Sequence, residues 1–445
     1  MFRKHKKKKV ESNKKQGRIR SALSNKDLMK RIGFTLVVLF IYKIGLSITV
    51  PNAKLSNMVG NVSNASWLNL ISLIGGGGLE NFSVLSLGVT PYITASIIIQ
   101  MFSMDVFPYF TELAKQGNSG KKKLESYTRY LAVIFAFLQS ISLIYTIKKN
   151  YSGVLTGADS ASQVIYISVI FTAGSFIMIW LGDQMSQKGV GNGMSMLIAA
   201  GIIGRLPEQF IESFQSLCGS DSAIEHGVWI FVGYVVAYLI IIILVTLLNS
   251  AERRIPIQYT SSSLELAEIE SDNYLPLKVN SASVMPVIFA SSIMLAPVQL
   301  ASFFLDEDKL EVMNNWLGMS TWYSLVIYAV LILLFTFFYV KMQINPEKLS
   351  EDIGKSGAYI PGIRPGKETQ RYIDTVLSRI TVLGSIALVL IALLPNVLPL
   401  LWSDMPSSLS LGGTGMIIVV GVALETSKQI SGILTQDSYK KYYNK

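Results

Sequence analysis

The residues able to do chemistry are few and scattered. Cys218 is the only cysteine, and His5 and His226 are the only imidazoles. Neither an intramolecular disulfide nor a Cys- or His-based metal centre fits that inventory. No phosphate-cradling loop and no nucleophile motif occurs, so the chain encodes no energy source, cofactor site or catalytic group of its own. What remains are groups that hydrogen-bond or dock. Gln100, Asn192, Thr90 and Asn280 lie in or at the ends of long apolar segments. There they can tie helices together across a low-dielectric interior, or hold shut a bundle that must hinge open. Tyr359 to Lys367 places Arg364 between two Pro-Gly pairs, a rigid turn that presents one guanidinium to solvent. That is a docking feature.

The elements that carry these groups are apolar. Half of the 445 residues are hydrophobic and 15% are charged, yet the net charge is +10, with a mean hydropathy of +0.43. Such hydrophobicity excludes a disordered chain, and the low charge density argues against a soluble enzyme. An all-α, polytopic membrane protein is expected. A bilayer core of about 30 Å needs roughly 20 apolar residues per helix. Ten windows qualify: 32–50, 84–103, 128–147, 164–182, 193–207, 227–248, 284–305, 322–340, 376–401 and 410–427, the fifth being short. Glycines and prolines interrupt several of them (Gly88, Pro91, Gly201, Pro286, Pro297). The basic leader runs directly into the first window without a small-residue cleavage site, so no cleavable signal peptide is expected.

Assigning alternate connections to opposite sides puts 33 of the 39 basic residues on the side of the N-terminus. The net charges become +15 and −5, which places both termini in the cytoplasm. The windows 84–103, 164–182, 227–248, 284–305 and 322–340 contain no Asp, Glu, Lys, Arg or His. Lys43, near the end of its window, can snorkel to the interface. A secondary solute transporter ordinarily needs such a group at membrane depth, so a pore or packing role is favoured. The basic tail, residues 1–30 with Lys6 to Lys9, suits an anchor to anionic lipid better than nucleic acid. Residues 51–83 hold a semi-apolar stretch, Trp67 to Ile74, followed by Gly75 to Gly78. It is either a re-entrant segment lining a cavity or an ordinary surface loop. The large cytoplasmic loops are 249–282 and 341–375.

Several stretches together resemble the SecY family of protein-conducting channels. They are Leu87 to Gln100, Tyr127-Thr128-Arg129-Tyr130, Gly189 to Ser195, Arg253-Arg254-Ile255-Pro256, Tyr274 to Asn280, Ile360 to Gly366 and Gly412-Gly413-Thr414. The resemblance implies ten transmembrane helices in two inverted five-helix halves, 31–215 and 216–430, closing like a clamshell, with a cytoplasmic tail at 431–445. It implies a pore ring of Val89, Ile93, Met194, Ile198, Ile288 and Ile418. An apolar collar of that kind yields to a passing chain and resists water and ions. It also implies a plug over about 64–77, including Trp67, Leu70, Ile71 and Ile74, with Gly75 to Gly78 as its hinge. A lateral gate would lie between the windows beginning near Val84 and Thr128 and those beginning near Val284 and Trp322. Gln100 and Asn280, with Asn192 nearby, would form its polar cluster. Arg364, Arg253 and Arg254 would dock a SecA-type ATPase or a ribosome. Small membrane subunits of the SecE and SecG kind and a preprotein with a signal sequence complete the implied partners.

The sequence departs from the family pattern in one loop. Ile257 to Leu277 holds no Lys or Arg, and Glu265, Glu268, Glu270 and Asp272 make it acidic where the family is basic. An acidic tip opposes contact with ribosomal RNA. Thr90 and Ser283 stand where the family more often has an apolar residue and glycine. These departures suggest the accessory SecY of Gram-positive bacteria, working with an accessory SecA to export serine-rich glycosylated adhesins. The alternatives are the general SecY, a solute transporter, and an insertase without a through-pore.

Overall fold

A computed structural model describes residues 25–51, 75, 78–79, 82–103, 107–150, 161–218, 224–259, 274–304, 307–319, 321–401 and 408–443. Thirteen helices and four short strands make up the described residues. In chain order the first seven helices are α1 (Lys26–Ser47), α2 (Thr90–Met101), α3 (Pro108–Lys115), α4 (Asn118–Asn150), α5 (Ala161–Lys188), α6 (Gly193–Cys218) and α7 (Ile224–Ser250). Strands β1 (Glu252–Pro256), β2 (Gln258–Tyr259) and β3 (Tyr274–Lys278) follow. Then come α8 (Met285–Phe304), α9 (Glu307–Leu317), α10 (Trp322–Gln343), α11 (Pro346–Lys355), β4 (Ala358–Tyr359), α12 (Lys367–Leu401) and α13 (Ser408–Tyr443).

Among the described residues six stretches are long and apolar enough to cross a membrane: Ser119–Lys148, Ala161–Lys188, Gly227–Ser250, Trp322–Lys355, Lys367–Leu401 and Thr414–Leu434. Met285–Val298 adds a shorter apolar helix. Large apolar side chains such as Phe40, Trp180, Trp229 and Leu383 are exposed. In water so wide an apolar surface would drive association; on these helices it is the face offered to lipid.

The structure revises two of the expected windows. The second is helical only from Thr90, because Val84 to Val89 form turns and Gly88 adopts φ +56°. Pro91 then opens α2 in its first turn, where a missing N–H costs no helical bond. The resulting 12-residue helix is only about 18 Å long. The short fifth window is in fact a 26-residue helix, α6, with Pro207 inside it.

The main core cluster draws on α1, α2, α4 to α8, α10, α12 and α13. α2 and α4 pack against α8, which packs in turn on α10. At one end of the bundle the two large loops form a small structure of their own. β1 pairs antiparallel with β3, from Glu252↔Lys278 to Pro256↔Tyr274. β2 pairs with β4, so Gln258 meets Tyr359, and the Tyr359 hydroxyl donates to Gln258 Oε1 at 2.9 Å. Ile255, Leu277, Ile353, Ile360 and Ile373 form a separate apolar cluster beneath these strands.

Candidate functional site: an apolar-ended cavity beside a helix seam

A cavity of about 1010 Å³ opens between α2, α4, α5, α6, α8, α10 and α13. Its lining is mixed in character. Lys121, Glu125 and Glu425 are exposed, and Arg129 bridges from α4 to Asp183 of α5 at 2.7 Å. These groups form a charged mouth. Ile93, Ile198 and Ile288 line the same cavity at 6%, 3% and 3% exposure. Each sits in the first or second turn of its helix, α2, α6 and α8 respectively. Met194 joins them in the lining. One cavity is thus lined both by exposed charged groups and by buried isoleucines.

Four of the six expected pore residues therefore share one cavity. Val89 and Ile418 are 1% and 5% exposed and belong to the same apolar cluster, but they do not line this space. Of the expected gate residues, Gln100 and Asn192 line the cavity. The Gln100 amide donates to Ser96 Oγ at 2.9 Å. Asn192 accepts from the Met194 N–H at 3.1 Å, as a residue preceding a helix does. Asn280 lies in a smaller polar pocket that also touches Asn192. Its Nδ2 donates to Asn249 Oδ1 at 3.0 Å and to the Ser283 carbonyl at 3.0 Å. Gln100 and Asn280 make no hydrogen bond with one another among the described residues. Gln100 Oε1 and Asn280 Oδ1 are both buried acceptors without a partner there.

The arginines expected to dock a partner lie on the loop structure. Arg364 is exposed in a turn whose glycines, Gly362 and Gly366, adopt φ +80° and +98°, the region a Pro-Gly pair supplies without strain. Ser350 Oγ donates to the Gly366 carbonyl and Thr369 Oγ1 to the Arg364 carbonyl, both at 2.9 Å. The turn is thus fixed while its guanidinium is left to solvent. Arg253 is likewise exposed on β1. Arg254 is committed instead: it pairs with Glu252 at 2.9 Å and lies 4.6 Å from the centroid of the Tyr274 ring.

Trp67, Leu70, Ile71 and Ile74 of the expected plug lie outside the described residues, as do Glu265, Glu268, Glu270 and Asp272. Of the expected plug hinge, Gly78 is packed. A Cβ there would stand 2.9 Å from Ser83 Oγ and 3.0 Å from Leu46 Cδ2, so close approach explains this glycine. Sequence reasoning missed Asn249, Lys428 and the Arg129–Asp183 pair. Tyr127 to Tyr130 carried the signal for Arg129, while nothing local marks which asparagine will face another.

A SecY family model matches residues 83–427. The protein translocase subunit SecY 1 of Lactobacillus kefiranofaciens subsp. kefiranofaciens is 41% identical over 427 residues, 95% of this chain and 98% of that protein. The protein translocase subunit SecY of Staphylococcus carnosus is 41% identical over 418 residues, 94% and 97% of the two chains. Among solved structures, "The structure of a protein conducting channel" superposes with a TM-score of 0.64 at 17% identity, covering 91% of this chain and 92% of that one. "Sec61 in the Canine ribosome-channel complex from the endoplasmic reticulum" gives 0.57 at 16% identity and the same coverage. Sequence motifs, fold and relatives agree, and the chain belongs to the SecY family.

Proposed function

We propose that this chain is the channel-forming subunit of a general protein translocase, conducting unfolded preproteins across the cytoplasmic membrane. The observation that carries the proposal is the cavity whose lining joins exposed charged groups to buried Ile93, Ile198 and Ile288 beside the seam of α2 and α4 with α8. A polypeptide enters through water, meets an apolar collar completed by Met194, Val89 and Ile418, and displaces it without leaving a wet path for ions. The seam is the lateral gate, through which a signal sequence reaches lipid. Gln100 and Asn280 each retain an unspent buried acceptor, and such groups cost roughly 1–3 kcal/mol. A closed gate with that penalty built in is poised rather than locked.

The chain performs no chemistry in this reading. A SecA-type ATPase drives transport and engages Arg364 and Arg253. Small subunits of the SecE and SecG kind sit in the membrane beside the channel. An apolar groove of about 460 Å³ between α1, α6 and α13, lined by Leu39, Met196, Ala200 and Val419 among others, suits a helix of such a subunit. The basic N-terminal tail adds contact with anionic lipid, both termini being cytoplasmic. The two halves, 31–215 and 216–430, move against each other, and residues 64–77 plug the outer side.

The accessory subtype expected from the acidic loop yields to the general one. Relatives described simply as protein translocase subunit SecY are 40–41% identical across more than nine-tenths of the chain.

The test is a cysteine pair across the seam. Ile97 is buried in the main cluster and Ile293 packs against it. Oxidising an Ile97→Cys, Ile293→Cys channel should abolish export, and reduction should restore it. Wild-type export through a fully crosslinked channel would overturn the gate.

A further inference from the structure

The residues that enter α8 are held in part by two side chains, Asn249 and Lys428, that neither the motifs nor the pore accounts for. Asn249 closes α7 and is 8% exposed; Asn280 is 3% exposed. Asn249 Oδ1 accepts from Asn280 Nδ2 at 3.0 Å, while the Asn249 carbonyl accepts from Lys428 Nζ of α13 at 3.1 Å. The pair continues the β1–β3 ribbon. After the Glu252↔Lys278 rung comes Val279 N–H to the Ala251 carbonyl at 2.9 Å, and then the side-chain rung of Asn249 and Asn280. The ribbon rests on the same apolar cluster as the Arg364 turn, through Ile255, Leu277 and Ile360. The body of α8, by contrast, packs on α2, α4 and α10. A helix whose flank forms one side of a seam is therefore anchored, at its entry, to the end of α7 and through it to α13, away from the seam.

We propose that Asn249 and Lys428 are positioning residues that clasp the entry of α8 and set how strong a signal sequence must be to open the gate. This rests on the lateral-gate reading above. An interhelical hydrogen bond in a membrane protein is modest, so loss of the clasp shifts the gate equilibrium without unfolding the bundle. With the clasp intact, only a fully apolar signal sequence supplies enough binding free energy to part α8 from α2. With it broken, weaker signals suffice, because a ligand has less of the equilibrium to move.

The experiment uses cells that depend on this chain for export and two reporters, one with an intact signal sequence and one with an arginine inserted in its apolar stretch. Asn249→Ala and Lys428→Met should each raise export of the weakened reporter roughly three- to tenfold, with intact-signal export unchanged. Asn249→Asp keeps the acceptor for Asn280 beside Lys428 and should return the ratio to wild type, a rescue that a packing role would not give. Wild-type rejection of the weak signal by both Asn249→Ala and Lys428→Met would overturn the clasp, and so would an Asn249→Asp channel as permissive as Asn249→Ala. The Ile97–Ile293 crosslink, made in the same cells, separates the two readings. If it blocks export while the variants remain stringent, the clasp alone falls. If export continues through the crosslinked channel, the gate falls and the clasp with it.

Discussion

α2 and α8 meet across the seam, and each is entered through a seat of a few residues that hold it in different ways. The seats share one device, a helical glycine pressed onto the main chain of the entering segment. Gly174 of α5 bears on the Val84 carbonyl and Gly384 of α12 on the Val279 carbonyl. Otherwise the seat of α2 is tied mainly by main chain, with Ser86 Oγ adding a side-chain bond to the Gly78 carbonyl at 2.9 Å. Val84 N–H donates to the Ile48 carbonyl at 2.9 Å, Val50 N–H to Phe82 at 3.0 Å and Ser83 N–H to Gly78 at 2.9 Å. Phe82 is fully buried and meets Phe171 edge-on with ring centroids 5.2 Å apart. The seat of α8 is tied largely by side chains, through Asn249, Asn280 and Lys428. A main-chain ladder backed by a buried ring gives way only as a unit. Side-chain ties can be exchanged singly, each at a modest net cost. On the proposed gate reading, the contrast makes α2 the fixed jaw and α8 the adjustable one.

The largest expected effect is at Phe82, which adopts φ +43°. Glycine would suit that backbone better, yet Phe82→Gly removes a fully buried ring. The packing loss of about 3–5 kcal/mol outweighs strain relief of about 1–2 kcal/mol. Thermal unfolding of the purified protein in detergent should show a strongly destabilised or unfoldable variant. Wild-type stability would mean that strain, not packing, governs the α2 seat. Next come the glycine wedges. A Cβ on Gly174 would stand 2.8 Å from the Val84 carbonyl carbon, against 3.1 Å from that of Val279 for Gly384. Overpacking against backbone costs about 1–3 kcal/mol, so Gly174→Ala should lose more stability than Gly384→Ala. Equal or reversed losses in the same assay would remove the asymmetry between the jaws.

How far these features can be read from residues alone follows from their physics. The helices are legible because apolar runs near bilayer length leave few alternatives, and the all-apolar stretch Gly227 to Leu248 could hardly be anything else. The start of α2 is less so: the window from Val84 is uncharged, Gly88 at φ +56° and Pro91 both interrupt it, and residues alone do not say that the helix waits for Thr90. The pairing of β2 with β4 joins two-residue strands about 100 positions apart, too short to leave a period in sequence. Arg364 is legible since Pro-Gly geometry is local. The isoleucines of the proposed pore are ordinary apolar residues and come into view only through the resemblance to a family. Asn249 is hidden for a related reason: an asparagine ending an apolar helix suits a C-cap as well as a buried amide pair. Only its partner 31 residues away decides.

The smallest expected effect is also the sharpest discriminator between the jaws. Ser283, like Phe82, is a non-glycine residue with positive φ, at +55°. Unlike Phe82 it is half-buried. It contributes its carbonyl, not its side chain, to the bond from Asn280. Glycine keeps that carbonyl and relieves about 1–2 kcal/mol of left-handed strain, against an added unfolded-state entropy of about 0.5–1 kcal/mol. The balance is a gain of about 0.5 kcal/mol, worth roughly a degree in the unfolding midpoint. A firmer α8 seat should also tighten the gate, lowering export of the weakened reporter about twofold. The same change, residue to glycine at positive φ, is thus expected to destabilise one jaw severely and to stabilise the other slightly. A Ser283→Gly protein that melts lower than wild type, or admits weak signals more freely, would show that the serine side chain itself holds α8. The division between a packed seat and a hydrogen-bonded one would then fail.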